Sequence, residues 1–146
     1  MEATAYPDSS FLVSLVSRDT HSADAAAYMA RVAEPLVFTP LHRIEVRNAL
    51  RNAAARGAIT GSERRAAFHR IEEDLREGLL VHNLIAWTDA FRRADDISER
   101  HAATEGQRTI DLLHVALALG CGAKIFLSLD DRQRKLARAA GLKVKP

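Results

Sequence analysis

One stretch constrains this chain more than any other. From Ile110 to Leu119 every residue is apolar except Asp111 and His114. Thr109 stands before the run as a helix cap, and Gly120 follows it as a stop. A helix that is apolar all round is a buried helix. Asp111 and His114 lie three apart, so they share one face, and burying the helix buries a carboxylate and an imidazole with it. A buried carboxylate is costly unless it is paired or binds a metal. Position in the first helical turn, where the helix dipole favours an acid, explains Asp111 by itself but not its pairing with His114.

The rest of the chain supplies the surroundings. Short apolar runs at residues 3–7, 36–38, 79–81, 124–129 and 142–144 read as strands. Helical patterns alternate with them. Ser9 or Ser10 caps a first helix reaching Val16, and Asp19 or Thr20 opens a second over 23–32. Thr39 caps a long helix with Pro40 in its first position, ending near Gly57. Ser62 caps a helix over 63–77 closed by Gly78, and further helices span about 86–103, 109–120 and 131–141. Strands alternating with helices predict an α/β fold with a mostly parallel sheet. At 146 residues the chain fits one domain, 1–146, with no need of a disulfide or structural metal.

Composition removes several classes. The single cysteine, Cys121, rules out an intramolecular disulfide framework and any multi-cysteine metal site, and fits a reducing compartment. The longest apolar stretch, 112–121, contains His114 and is too short for a bilayer. The first eight residues lack the basic region of a secretory signal. The expected location is cytoplasmic, with no membrane partner. A net charge of +2 does not argue for nucleic acid.

Four acids stand apart from those on solvated helix faces. Asp8 and Asp130 each follow a strand and precede a helix, at the carboxyl ends of strands where ligands of open α/β sheets bind. Each is also a candidate N-cap, with Ser9, Ser10 and Asp131 available for that task instead. Glu45 lies within the 40–57 helix beside Leu41 and Ile44, with Asn48 one turn on; the alternative is an exposed Glu paired with Arg47 or Arg51. Asp111 is the fourth. Carboxylates that converge repel one another and take up protons unless a cation is present. A hard divalent ion such as Mg²⁺ or Mn²⁺ resolves this, and such an ion polarises phosphates and activates water. Phosphodiester hydrolysis is the matching reaction class.

Four segments carry a resemblance: 8–13 (Asp-Ser-Ser-Phe-Leu-Val), 41–50 around Glu45, 108–116 around Asp111, and 126–133 around Asp130. In this order and spacing the chain resembles the PIN-domain ribonucleases, of the type found as VapC toxins of toxin–antitoxin modules. The resemblance implies a three-layer α/β/α sandwich and an acidic pocket that uses Mg²⁺ or Mn²⁺ to cleave RNA. By position, Asp8 and Asp111 would be the metal ligands, and Glu45 and Asp130 would complete the catalytic quartet. Ser10 and Ser128 match polar positions that would support the pocket. Asn48, one turn from Glu45, and His114, one turn from Asp111, are further candidates by spacing, with a satisfied core histidine as the other reading of His114. A homodimer and a VapB-like antitoxin partner are also implied. The sequence departs from the pattern at Pro7, where the strand is expected to end, and at Asp130-Asp131, where Ser128 points to Asp130 as the fourth acid. Other readings are a PIN-fold RNA- or protein-binding module without turnover, and a phosphohydrolase of small phosphate esters.

Arg43, Arg47 and Arg51 form a stripe at i, i+4, i+8, a candidate track for an RNA backbone, as are Arg132, Arg134, Lys135, Arg138, Lys143 and Lys145. A solvated helix face is the alternative for both. With the four singled-out acids set aside, the 21 basic residues outweigh the remaining acids by six. An acidic pocket in an otherwise basic chain is the expected charge distribution.

Overall fold

Residues 2–146 are described by a computed structural model, except for the side chains at 102–105. The elements run β1 (Ala5–Pro7), α1 (Ser9–Val16), α2 (Ser22–Val32), β2 (Leu36–Val37), α3 (Pro40–Ala55), α4 (Gly61–Glu77), β3 (Leu80–Val81), α5 (Trp87–Glu105), α6 (Thr109–Gly120), β4 (Ile125–Leu127), α7 (Asp131–Ala139) and β5 (Lys143–Lys145). The strands form one sheet in the order β3-β2-β1-β4-β5, and every neighbouring pair is parallel.

Strand periodicity sorts the helices into two layers. Successive strand residues face opposite sides. Ala5, Leu36 and Leu127 pack with residues of α1, α2, α3 and α4. Tyr6, Val37 and Phe126 pack with residues of α5, α6 and α7. The product is the three-layer α/β/α sandwich with a parallel central sheet. Within it, α6 is buried continuously from Leu112 to Ala118, His114 included. None of the described helices is long and apolar enough to cross a membrane.

Several boundaries differ from the sequence expectation, each for a local reason. Asp8, not Ser9 or Ser10, caps α1, and Asp130 caps α7. The expected cap Ser62 lies inside α4. Thr60 caps that helix because Glu63 stands three residues later and returns its carboxylate to the Thr60 N–H. Thr109 is the first residue of α6. The cap position belongs to Arg108, whose side chain makes no capping bond and reaches Asp111 instead. The strands at 3–7 and 124–129 are trimmed to three residues each. Pro7 does end β1. On the β2 side the register pairs only Ala5 with Leu36, so the missing Pro7 N–H breaks no rung.

His42 locks the start of α3 to the end of β1. Its Nδ1 accepts from the Thr39 N–H at 3.0 Å, so Nε2 carries the hydrogen and donates to the Pro7 carbonyl at 2.8 Å. The ring is fully buried. Burial, and secondarily the nearby His114, holds its pKa well below 6.5. A second proton would remove the acceptor that Thr39 needs. A group with a lowered native pKa contributes stability above its unfolded value and loses it as pH falls through the native one. Tm should therefore decrease on going from pH 7.5 to about 5.5, across the ordinary imidazole range near 6.5. The slope should shrink in His42→Gln, which binds no proton there. An unchanged slope in that variant would place the acid sensitivity elsewhere.

Candidate active site

Asp8 sits where β1 ends and α1 begins. Its backbone N–H still donates to Leu127 of β4, at 2.9 Å, so the residue is fixed to the sheet edge. Its Oδ1 accepts from the Phe11 N–H and the Ser10 hydroxyl, both at 2.8 Å, and Ser128 also hydrogen-bonds the carboxylate. Asp8 is 5% exposed. Burial pushes its pKa above the ordinary value, against the lowering effect of those three donors and of the nearby His114. The side chain is thus a helix cap and a buried acid at once.

Asp130 repeats the arrangement at the end of β4. Its side chain accepts from the Gln133 N–H at 3.0 Å, and its own N–H donates to the Ser128 hydroxyl at 3.1 Å. Ser128, fully buried, therefore touches both strand-end acids. Adjacent parallel strands bring these two acids together across about 120 residues of chain.

Glu45 arrives from α3, one turn past the His42 lock. Its Oε1 accepts from the Ser9 hydroxyl at 2.8 Å and from His114 Nε2. Burial raises the Glu45 pKa, but the hydrogen bond and proximity of His114, the Ser9 hydroxyl and the charge of Arg108 outweigh it, leaving the carboxyl below its ordinary value. Asp111, in the first turn of α6, pairs with Arg108 at 3.1 Å.

These acids meet. Asp8, Glu45, Asp111 and Asp130 line one cavity of about 140 Å³, together with Ser9, Ser10, Arg108, Ile110, His114 and Gln133. Asp131 is not in its wall. Four carboxylates there face a single guanidinium. Among the described residues, no three His, Cys, Asp or Glu side chains are grouped as a ready-made metal cage. The donor set still fits a hard cation. It is all oxygen, one carboxylate is almost wholly desolvated, and Mg²⁺ is ordinarily held by one or two carboxylates with the remainder water.

Two sets of expected residues lie elsewhere. Asn48 is exposed and does not line the cavity. The Arg43, Arg47 and Arg51 stripe turns toward α4. Arg43 forms an ion pair with Glu72, while Arg47 and Arg51 lie over the Phe68 ring at 4.3 and 5.3 Å. Sequence reasoning missed Ser9, Arg108 and Gln133. Arg108 had a signal, its i−3 spacing to Asp111; Gln133 had none.

The family model of the PIN domain matches residues 5–139 of the chain. No curated protein matches it.

The raised pKa of Asp8 has a sign that can be checked. Its contribution to stability is present at low pH and is lost as pH rises through the native value. Asp8→Asn removes that liability and keeps an Oδ1 acceptor for Phe11 and Ser10. In chelator at pH 7 the variant should unfold a few degrees above the unsubstituted protein, about 2–4 °C per kcal/mol gained at this size. A lower Tm would mean that the charge-assisted cap outweighs the desolvation.

Proposed function

The chain belongs to the PIN-domain family, and from that premise we propose that it is a metal-dependent endoribonuclease. PIN domains are generally metal-dependent nucleases. The observation that carries the proposal is the convergence of four acids, from four separate segments, on one cavity at the carboxyl ends of β1 and β4. In this reading Asp8 and Asp111 hold Mg²⁺ or Mn²⁺. When bound, the cation supplies Lewis-acid polarisation of the phosphodiester, a water of lowered pKa and neutralisation of the leaving oxygen.

The chain's own residues have distinct tasks. The Phe11 N–H, Ser10 and Ser128 aim the Asp8 carboxylate and hold it in place. Ser9 and His114 anchor Glu45 by one oxygen, which leaves Oε2 to accept a proton from, or orient, the attacking water. Asp130 completes the negative wall that attracts the cation. Arg108, 73% exposed on its side chain, sits at the cavity with reach to a substrate phosphate. The finer reading is a VapC-like toxin, silenced by a VapB-like antitoxin and acting as a homodimer, on the four-segment resemblance of the sequence.

Purified protein should cleave a single-stranded RNA with Mg²⁺ or Mn²⁺ and not in chelator. Asp8→Asn and Asp111→Asn should each lose on the order of 10²-fold or more in rate, as when one preorganised charge is removed from a reacting centre, while circular dichroism stays unchanged. Full activity in both variants would refute the assignment. Turnover of p-nitrophenyl phosphate without RNA cleavage would make the protein a small-ester hydrolase. Growth arrest on expression, relieved by Asp8→Asn, tests the toxin reading.

A further inference from the structure

Behind Glu45 and His114 lies a buried hydroxyl, that of Tyr6, that no task above absorbs. The Tyr6 hydroxyl is 2.7 Å from His114 Nδ1, and both residues are buried. His114 Nε2 meets Glu45 Oε1. The Ser9 hydroxyl donates to the same Oε1 at 2.8 Å, and its oxygen lies 3.2 Å from Nε2. A carboxylate only accepts, so Nε2 carries a hydrogen. In the neutral ring Nδ1 is then bare and accepts from the Tyr6 O–H. Glu45 sets this tautomer, and the hydroxyl supplies the donor that it needs at Nδ1.

The placement of Tyr6 is informative. It lies two residues before Asp8 on β1, and its ring stacks on Phe126 at 5.7 Å, with His42 and His114 against its other sides. A phenylalanine would fill that space equally well. A buried hydroxyl is costly without a partner, and among the described residues this hydroxyl bonds the imidazole that orients Glu45. Both donors converge on Oε1, so the carboxylate is pinned by one oxygen and presents the other.

We propose that Tyr6, acting through His114, is a positioning residue for Glu45: its O–H holds the imidazole in the orientation that pins one carboxylate oxygen and leaves the other to the cavity. The inference rests on the nuclease reading for its kinetic consequence, but not for the hydrogen-bond relay itself.

Tyr6→Phe tests it, because only an oxygen is removed. With an RNA oligonucleotide, kcat should fall about 10-fold, the low end of losses seen when a group orienting an active-site ligand is removed, with KM within about twofold. In a Glu45→Gln background the same substitution should add less than twofold, since the two changes interrupt one pathway. A Tyr6→Phe variant with unchanged kcat, or with an equal loss in both backgrounds, would overturn the proposal. Nitrogen-15 and carbon-13 NMR gives an answer that needs no activity. Tyr6→Phe should shift the His114 ring nitrogens and the Glu45 carboxyl carbon, and unchanged signals would overturn the relay. If the unsubstituted protein cleaves no RNA while these shifts occur, the nuclease reading fails and the relay stands.

Discussion

The site is referenced to two hydrogen bonds made by one buried imidazole. His42 ties the Pro7 carbonyl, the last residue of β1, to the Thr39 N–H at the start of α3. The Thr39 bond sets the ring's orientation within the helix's own first turn, and the Pro7 bond tethers that turn to the end of β1. Glu45, one turn on, is delivered beside Ser9, and Asp8 follows Pro7 directly. The lock works only in the neutral ring, because one nitrogen donates and the other accepts. Its burial against Tyr6 and Phe38 supplies the desolvation that keeps it neutral.

Around that lock, parallel topology does the gathering. In a parallel sheet every strand ends at the same edge, and each following helix starts there. Asp8 and Asp130 are placed at that edge by β1 and β4, which are adjacent. Both acids cap the helices that follow. Capping and cavity-lining are therefore not competing explanations of these residues. The helix N-terminus helps to hold the charge that the cavity displays.

The sequence made much of this legible, through particular signals. Short apolar runs alternating with helical patterns carried the parallel sheet, and the all-apolar surroundings of Asp111 and His114 carried the buried α6. Asp8, Glu45, Asp111 and Asp130 were each conspicuous by context. What stayed hidden was partnership. Helical periodicity puts Arg43, Arg47 and Arg51 on one face but does not say what the face meets, and Phe68 and Glu72 of α4 take it. Tyr6 and His114 are separated by 108 positions, so nothing local links them. Asn48 shares a helix with Glu45 but points to solvent, because α3 is only partly sunk into its layer. The α4 cap fell on Thr60 because a reciprocal partner three residues later outweighs the identity of the capping residue alone.

The pairing of Arg108 with Asp111 has a consequence for charge at the mouth of the cavity. Asp111 is 20% exposed on its side chain and already holds a positive charge tethered to its own helix start. A divalent ion held by Asp111 would compete with that guanidinium for the carboxylate. Arg108, 73% exposed on its side chain, would then be left within reach of an anion. Cation and anion would in that case assist each other's binding through one shared carboxylate.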